Sequence, residues 1–393
     1  MMNKIKVDDL QPGMKFTRAV YITPTNMLVG PDMPLKSKDI DRLKRWGIKE
    51  VETSGEVYET EVVELTSEEK EVEYKDKLIE QYKQLHKIKH KFLIRYEDSA
   101  DAITKMVQDV RRKKLINNMK IYNIATDMIT EVTTNAPIFI YLASKMSNDQ
   151  EYLSYHLLNA SIFSILIGHL NKVPPKKIIN LAVGSLLYDI GMAKIPQAII
   201  LKKEKLNIKE LNFIKLHTIY GYKILVKDSN FPSEIASIAL QHHEQFDGNG
   251  YPRKLRNEQI DLFSRIVAIA DTFEAMTKKR TYRTEFLSYE AMKNLLGQSK
   301  NKFDPKLLRT FLANMSIYPI ASLVKLNTNA IGLVIGAYED KPLRPIIKII
   351  IDEFNDKVPE EESRFVDLTK TPDLYITNAV DERQYQLNLF DYI

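Results

Sequence analysis

Alternating apolar and polar positions fill residues 1 to about 60, broken by turn chemistry at Pro12-Gly13 and again at Pro24, Gly30 and Pro31. Ile40, Leu43 and Ile48 ahead of Val51 predict a short helix feeding a strand, so residues 1–62 read as a small α+β module. From Ser67 to about Lys145 the period becomes helical, and glycine and proline almost vanish before Pro137. Leu78, Tyr82, Leu85 and Ile88 predict one apolar stripe, and Ile116, Ile121, Ile124 and Met128 another. This region, 63–145, reads as a helical linker or bundle; such helices either pair between subunits, which gives the expected homodimer, or pack within one chain.

Residues 146–316 are again mostly helical in pattern. Past Tyr318-Pro319, the runs Leu323-Val324-Lys325-Leu326, Gly332-Leu333-Val334-Ile335-Gly336 and Pro345 to Ile350 predict strands at hairpin-like spacing. They make a small β appendage over 317–380, followed by a tail over 381–393. The fold expected is mostly α, with a small α+β module before the helical core and a small β unit after it.

Composition narrows the chemistry. Hydrophobic residues at 44% and charged residues at 28% describe a globular chain, and 393 residues suffice for two or three domains. No apolar run reads as long enough to span a membrane, and the first residues lack a signal peptide's apolar core, so a cytoplasmic protein without a membrane partner is expected. With no cysteine, a metal has to be held by imidazole and carboxylate, and disulfides and thiol nucleophiles are excluded. A net charge of +5 over this length gives no reason to expect a nucleic-acid partner.

Of seven histidines, His242 and His243 are adjacent and run into Glu244-Gln245-Phe246-Asp247-Gly248-Asn249-Gly250-Tyr251-Pro252. Successive helical residues diverge by about 100°, so both imidazoles face one centre only if the helix stops there. The Asp-Gly and Asn-Gly pairs supply that stop. His156 sits in an apolar helix and points inward. Ile178 to Leu187 predicts a helix delivering Tyr188-Asp189 and ending by Gly191; Asn207 with Glu210 resembles a capping box opening the helix that presents His217. Asp271 lies within an apolar helix predicted from Glu258 to Met276, where a carboxylate without a partner is costly. Arg280 and Arg283 follow it as helix-end cations or as a phosphate clamp. His86 and His90, four apart among lysines, read as a solvated basic face. Six N/O donors, His156, Asp189, His217, His242, His243 and Asp271, exceed the need of one ion, and a bridging Asp189 would let them hold two.

At these residues the sequence resembles the HD-GYP family of bacterial cyclic di-GMP phosphodiesterases. His242-His243-Glu244 through Gly250-Tyr251-Pro252 is similar to the family signature, with Ile266 to Asp271, Arg280-Thr281-Tyr282-Arg283 and Phe303-Asp304-Pro305 following as they do there. The resemblance implies an all-helical HD-type core and a site with two or three metals, usually iron or manganese, of which two divalent ions are expected here. It also implies a cyclic dinucleotide opened to pGpG or GMP, a groove shaped by Gly250, Tyr251 and Pro252, and phosphate contacts from Arg280 and Arg283. The family's His-Asp pair stands here as Tyr188-Asp189, and its lysine three residues on stands as Met192, with Lys194 the nearest substitute. Asp189, Lys194 and Tyr188 are accordingly the catalytic candidates. Two readings stay open: a working phosphodiesterase, and a degenerate member that binds cyclic di-GMP, or a protein partner at the Gly-Tyr-Pro loop, without turnover.

Overall fold

The computed structural model describes residues 3–23, 26–35, 37–60, 67–148, 150–200, 202, 204–278, 288–298, 301–315, 318, 320–338, 341, 343–359, 362–385, 387 and 392. These form two compact units, Met1–Asp76 and Lys77–Ile393.

In the first unit, β1 (Asn3–Lys6), β2 (Met14–Phe16), β3 (Val20–Thr23) and β4 (Asn26–Val29) precede helix α1 (Ser37–Arg45), β5 (Glu50–Thr53) and β6 (Val57–Thr60). One sheet has the order β1-β5-β3-β4, and β2 pairs with β6. Ile40 and Leu43, the apolar positions of α1, are buried with Phe16, Val20, Leu35 and Val51. The short helix feeding a strand is present as the alternation predicts.

The second unit is built on helices: α2 (Ser67–Arg111), α3 (Asn118–Thr134), α4 (Ala136–Lys145), α5 (Tyr152–Leu170), α6 (Pro175–Leu187), α7 (Gln197–Ile200), α8 (Ile208–Lys215), α9 (His217–Lys223), α10 (Ser233–Gln241), α11 (Leu262–Thr277), α12 (Ser288–Gln298) and α13 (Pro305–Asn314). They are followed by β7 (Leu323–Leu326), β8 (Ile331–Gly336), β9 (Ile346–Ile351), β10 (Phe365–Asp367) and β11 (Ile376–Val380) in one sheet of order β10-β9-β8-β7-β11. Strands β8 and β9 are buried throughout, because alternate residues serve two cores. Leu333, Ile346 and Ile350 join the helical core, while Val334, Ile347 and Ile349 pack with Leu326 and Leu368 on the other side.

Three sequence expectations are corrected here. Ile88 is 41% exposed, whereas Tyr82, Lys89, Phe92, Tyr96, Ala100 and Ile103 are buried, so the seam of α2 follows Lys89 and Phe92 rather than Ile88. Periodicity admits both stripes, and the neighbouring helices select one. Helix α11 begins at Leu262 and not at Glu258, which lies in a separate turn, Asn257–Gln259. Gln241 exchanges hydrogen bonds with the backbone and side chain of Asp261, tying the chain to the end of α10 before α11 starts. Finally, α5 is long and apolar enough to cross a membrane by length and composition. It is apolar on every side because it is the central core helix, packed against α4, α6 and α11, with Leu157, Phe163 and Ile167 fully buried.

Candidate metal centre

Each candidate side chain stands at the end of an element or on the face of a core helix. Helix α10 stops at Gln241, which lets His242 and His243 turn their rings the same way, with centroids 4.1 Å apart. The capping box of Asn207 and Glu210 forms as expected and opens α8, after which His217 starts α9. Tyr188 and Asp189 follow α6 and lead into the short turn Ile190–Lys194. His217 packs against this turn so closely that a Cβ on Gly191 would fall 1.9 Å from its carbonyl oxygen, so only glycine fits.

The donor atoms of His217, His242 and His243 lie within 4.8 Å of one another, and Asp189 Oδ1 is 3.3 Å from His217 Nε2. The backbone settles which ring nitrogens carry protons. Nδ1 of His217 lies 2.6 Å from the Ile214 carbonyl, and Nδ1 of His242 lies 3.2 and 3.1 Å from those of Ile238 and Ala239. Carbonyls only accept, so both Nδ1 atoms donate, and in the neutral imidazoles both Nε2 atoms then present lone pairs. These two Nε2 atoms face each other at 3.2 Å. Two buried acceptors turned toward one another are satisfied by a cation between them, and the set fits a divalent ion that accepts imidazole and carboxylate.

A second group lies beside the first. His156, on α5, directs Nδ1 at Glu274 Oε2, 2.5 Å away, and Nε2 at Asp271 Oδ1, 3.0 Å away. The Tyr188 hydroxyl is 2.7 Å from the same Nε2 and donates to Asp271 Oδ1 at 2.9 Å. Asn159 extends the group, donating to Glu274 and accepting from the Tyr96 hydroxyl. Sequence reasoning missed Glu274 and Asn159. Their signal was spacing: Asp271 with Glu274, and His156 with Asn159, each three apart on apolar helices and hence on one face.

The two groups are electrostatically opposed. Burial, then the neighbouring His217, lowers the His242 pKa to about 3, and burial with His242 pushes His243 well down. Burial opposes charging of His156 too, but Glu274 and Asp271 outweigh it and raise its pKa to about 10. Asp271, despite burial, is held below the carboxylate range by His156, and burial lifts the Tyr188 phenol well above its ordinary value. The metal-free protein should therefore lose stability in acid. A histidine free in the unfolded chain titrates near 6.5. His242 contributes stability above that pH and loses it as the pH falls toward about 3, at up to about 1.4 kcal/mol per pH unit. His156 runs the other way: its contribution is complete below about 6.5 and fades as the pH rises through about 10. Urea midpoints of metal-free protein should fall steadily from pH 7 to pH 4, and an unchanged midpoint over that range would refute the assignment.

The Gly-Tyr-Pro loop borders the first group. Glu244 is buried and accepts from the backbone of Arg253 and Leu255, folding the loop back on itself. Gly250 lies against the Glu244 backbone, where a Cβ would meet Cα at 2.4 Å, and the Tyr251–Pro252 peptide is cis. The Tyr251 ring is 4.8 Å from that of His243, and Lys215 Nζ lies over it, 5.2 Å from its centroid. Lys194 is exposed at the end of the turn after Asp189. Arg280 and Arg283 lie outside the described residues.

Residues 144–307 match the HD domain family, and residues 323–388 match the KOW domain associated with HD domains. The chain is 27% identical over 261 residues to a cyclic di-GMP phosphodiesterase of Pseudomonas aeruginosa, covering 66% of this chain and 62% of that one. It is 26% identical over 333 residues to the cyclic di-GMP phosphodiesterase PdeB of Borreliella burgdorferi, covering 84% of each. Over 127 residues it is 40% identical to the cyclic di-GMP phosphodiesterase response regulator RpfG of Xanthomonas campestris pv. campestris, covering 32% of this chain and 34% of that one. The chain thus spans less than two thirds of the Pseudomonas relative's length. Residues 144–307 are thus an HD domain, and over that domain and beyond it the chain is similar to cyclic di-GMP phosphodiesterases.

Proposed function

We propose that this chain is a metal-dependent phosphodiesterase that opens cyclic di-GMP to pGpG or GMP. The observation carrying the proposal is the pair of facing Nε2 lone pairs on His217 and His242, joined by His243 and Asp189 and bordered by the Tyr251 loop. His217, His242, His243 and Asp189 would hold a divalent ion, iron or manganese, through an imidazole and carboxylate set without thiolate. Such an ion, when bound, supplies Lewis-acid charge at a phosphodiester and makes water acidic enough to attack near neutral pH.

The chain's own residues set the rest. Tyr251 presents a ring on which a base can stack, with the Lys215 ammonium 5.2 Å from the ring centroid as a partner for phosphate. Gly250 and Pro252 fix that ring, Arg280 and Arg283 contact phosphate, and Lys194 is the substitute for the lysine replaced by Met192. The protein works in the cytoplasm. It pairs as a homodimer through the helices of 67–145, a reading supported by Ile88 and Ile94 exposed on α2; light scattering at micromolar concentration that returns the mass of one chain would reject it. The direct test of function is turnover of cyclic di-GMP by protein loaded anaerobically with iron(II) or manganese(II). Linear product supports the proposal; tight binding of the dinucleotide without product would replace it with a receptor role.

A further inference from the structure

The two histidine groups differ in how their lone pairs are met. In the first, carbonyl oxygens take the Nδ1 protons of His217 and His242, and the two Nε2 atoms are left facing each other at 3.2 Å. In the second, donors and acceptors match within the protein. Nδ1 of His156 lies 2.5 Å from Glu274 Oε2, and its Nε2 lies 2.7 Å from the Tyr188 hydroxyl and 3.0 Å from Asp271 Oδ1, to which that hydroxyl donates at 2.9 Å. Tyr188 is wholly buried, and its ring lies 4.9 Å from that of His242 and 5.8 Å from that of His156. Its hydroxyl thus closes a triangle with His156 Nε2 and Asp271 Oδ1, which lie 3.0 Å from each other, and touches both of the atoms that a second ion would have to reach.

We propose that this protein binds one divalent ion per chain, at His217, His242, His243 and Asp189, and that the Tyr188 hydroxyl closes the second position by hydrogen bonding to His156 and Asp271. Glu274 and Asn159 hold His156 in that arrangement rather than serving an ion. An ion entering the second position has to displace the phenol from a fully buried, hydrogen-bonded place, and a neutral phenol is a poor ligand in return. The inference rests on the proposed function only in taking the three-histidine cluster as a metal centre.

The test is a count that needs no turnover. Metal-free protein titrated with manganese(II) should take up one equivalent and give the six-line resonance of an isolated ion. Tyr188→His, which supplies a lone pair where the hydroxyl stood, should raise uptake to two equivalents and convert the resonance to that of a coupled pair. His156→Ala should leave uptake at one. Two equivalents in the wild type, one in a folded Tyr188→His protein, or loss of the ion in a folded His156→Ala protein would each overturn the inference. Loading with ferric iron adds a further check, since a visible phenolate-to-iron band abolished by Tyr188→Phe would make Tyr188 a ligand and overturn it as well. Two ions with turnover would defeat this inference and leave the proposed function standing. One ion without turnover would do the reverse.

Discussion

Exchanging His242 and His243 together for alanine should empty the metal centre and reduce hydrolysis of cyclic di-GMP by about 10³ or more, while the helical circular dichroism stays unchanged. Removing a single transition-state charge contact commonly costs roughly 10²–10³ in rate, and an ion supplies more than one such contact. The loss should be all-or-none, because His217 and Asp189 alone leave two of the four proposed donors. Folding should survive the change. The substitution removes one buried and one half-buried ring, and the buried His242 faces His217 at 3.2 Å, so the lost packing is partly offset by relief of that contact. Elemental analysis beside a turnover assay checks the expectation. A double variant that keeps its metal, or turns over within tenfold of wild type, would place the centre elsewhere.

Phe273→Ala should be the most destabilising single change near the site, by about 3–5 kcal/mol. Phe163, Phe273 and Phe311 are wholly buried and meet edge to face, with centroids 5.0 Å apart for Phe163 and Phe273 and 5.2 Å for Phe273 and Phe311. Phe273 stands on α11 between Asp271 and Glu274, so the ring that locks α11 against α5 and α13 also sets where both carboxylates meet His156. A cavity there should let α11 shift and loosen that hydrogen-bonded group along with the core. Urea unfolding measures the first effect, and the pH at which the metal-free variant unfolds measures the second. A loss below about 1 kcal/mol would show that the core closes over the gap, contrary to this packing.

Much of this protein is written locally along its chain. The turn residues after His243 end α10 where both imidazoles share a direction, and the Asn207–Glu210 box opens α8, because caps and turns are settled within a few residues. The β-branched runs from Leu323 to Ile351 form strands for the same reason. The zero count of cysteine restricts any metal donors to nitrogen and oxygen before any folding is considered.

Other features exist only through contacts between distant parts of the chain. Periodicity offered α2 the stripe of Leu78, Tyr82, Leu85 and Ile88, and packing chose a seam through Lys89 and Phe92. A lone apolar-helix carboxylate at Asp271 announced a need for a partner without naming it; the fold supplied His156 and Tyr188, and placed Glu274 on the other nitrogen of a histidine 118 residues away. The proton positions on His217 and His242 likewise depend on which carbonyls the helix ends bring to Nδ1. Helical spacing states which residues share a face, but a buried polar group is defined by the donors and acceptors opposite it, and only tertiary structure brings those into place.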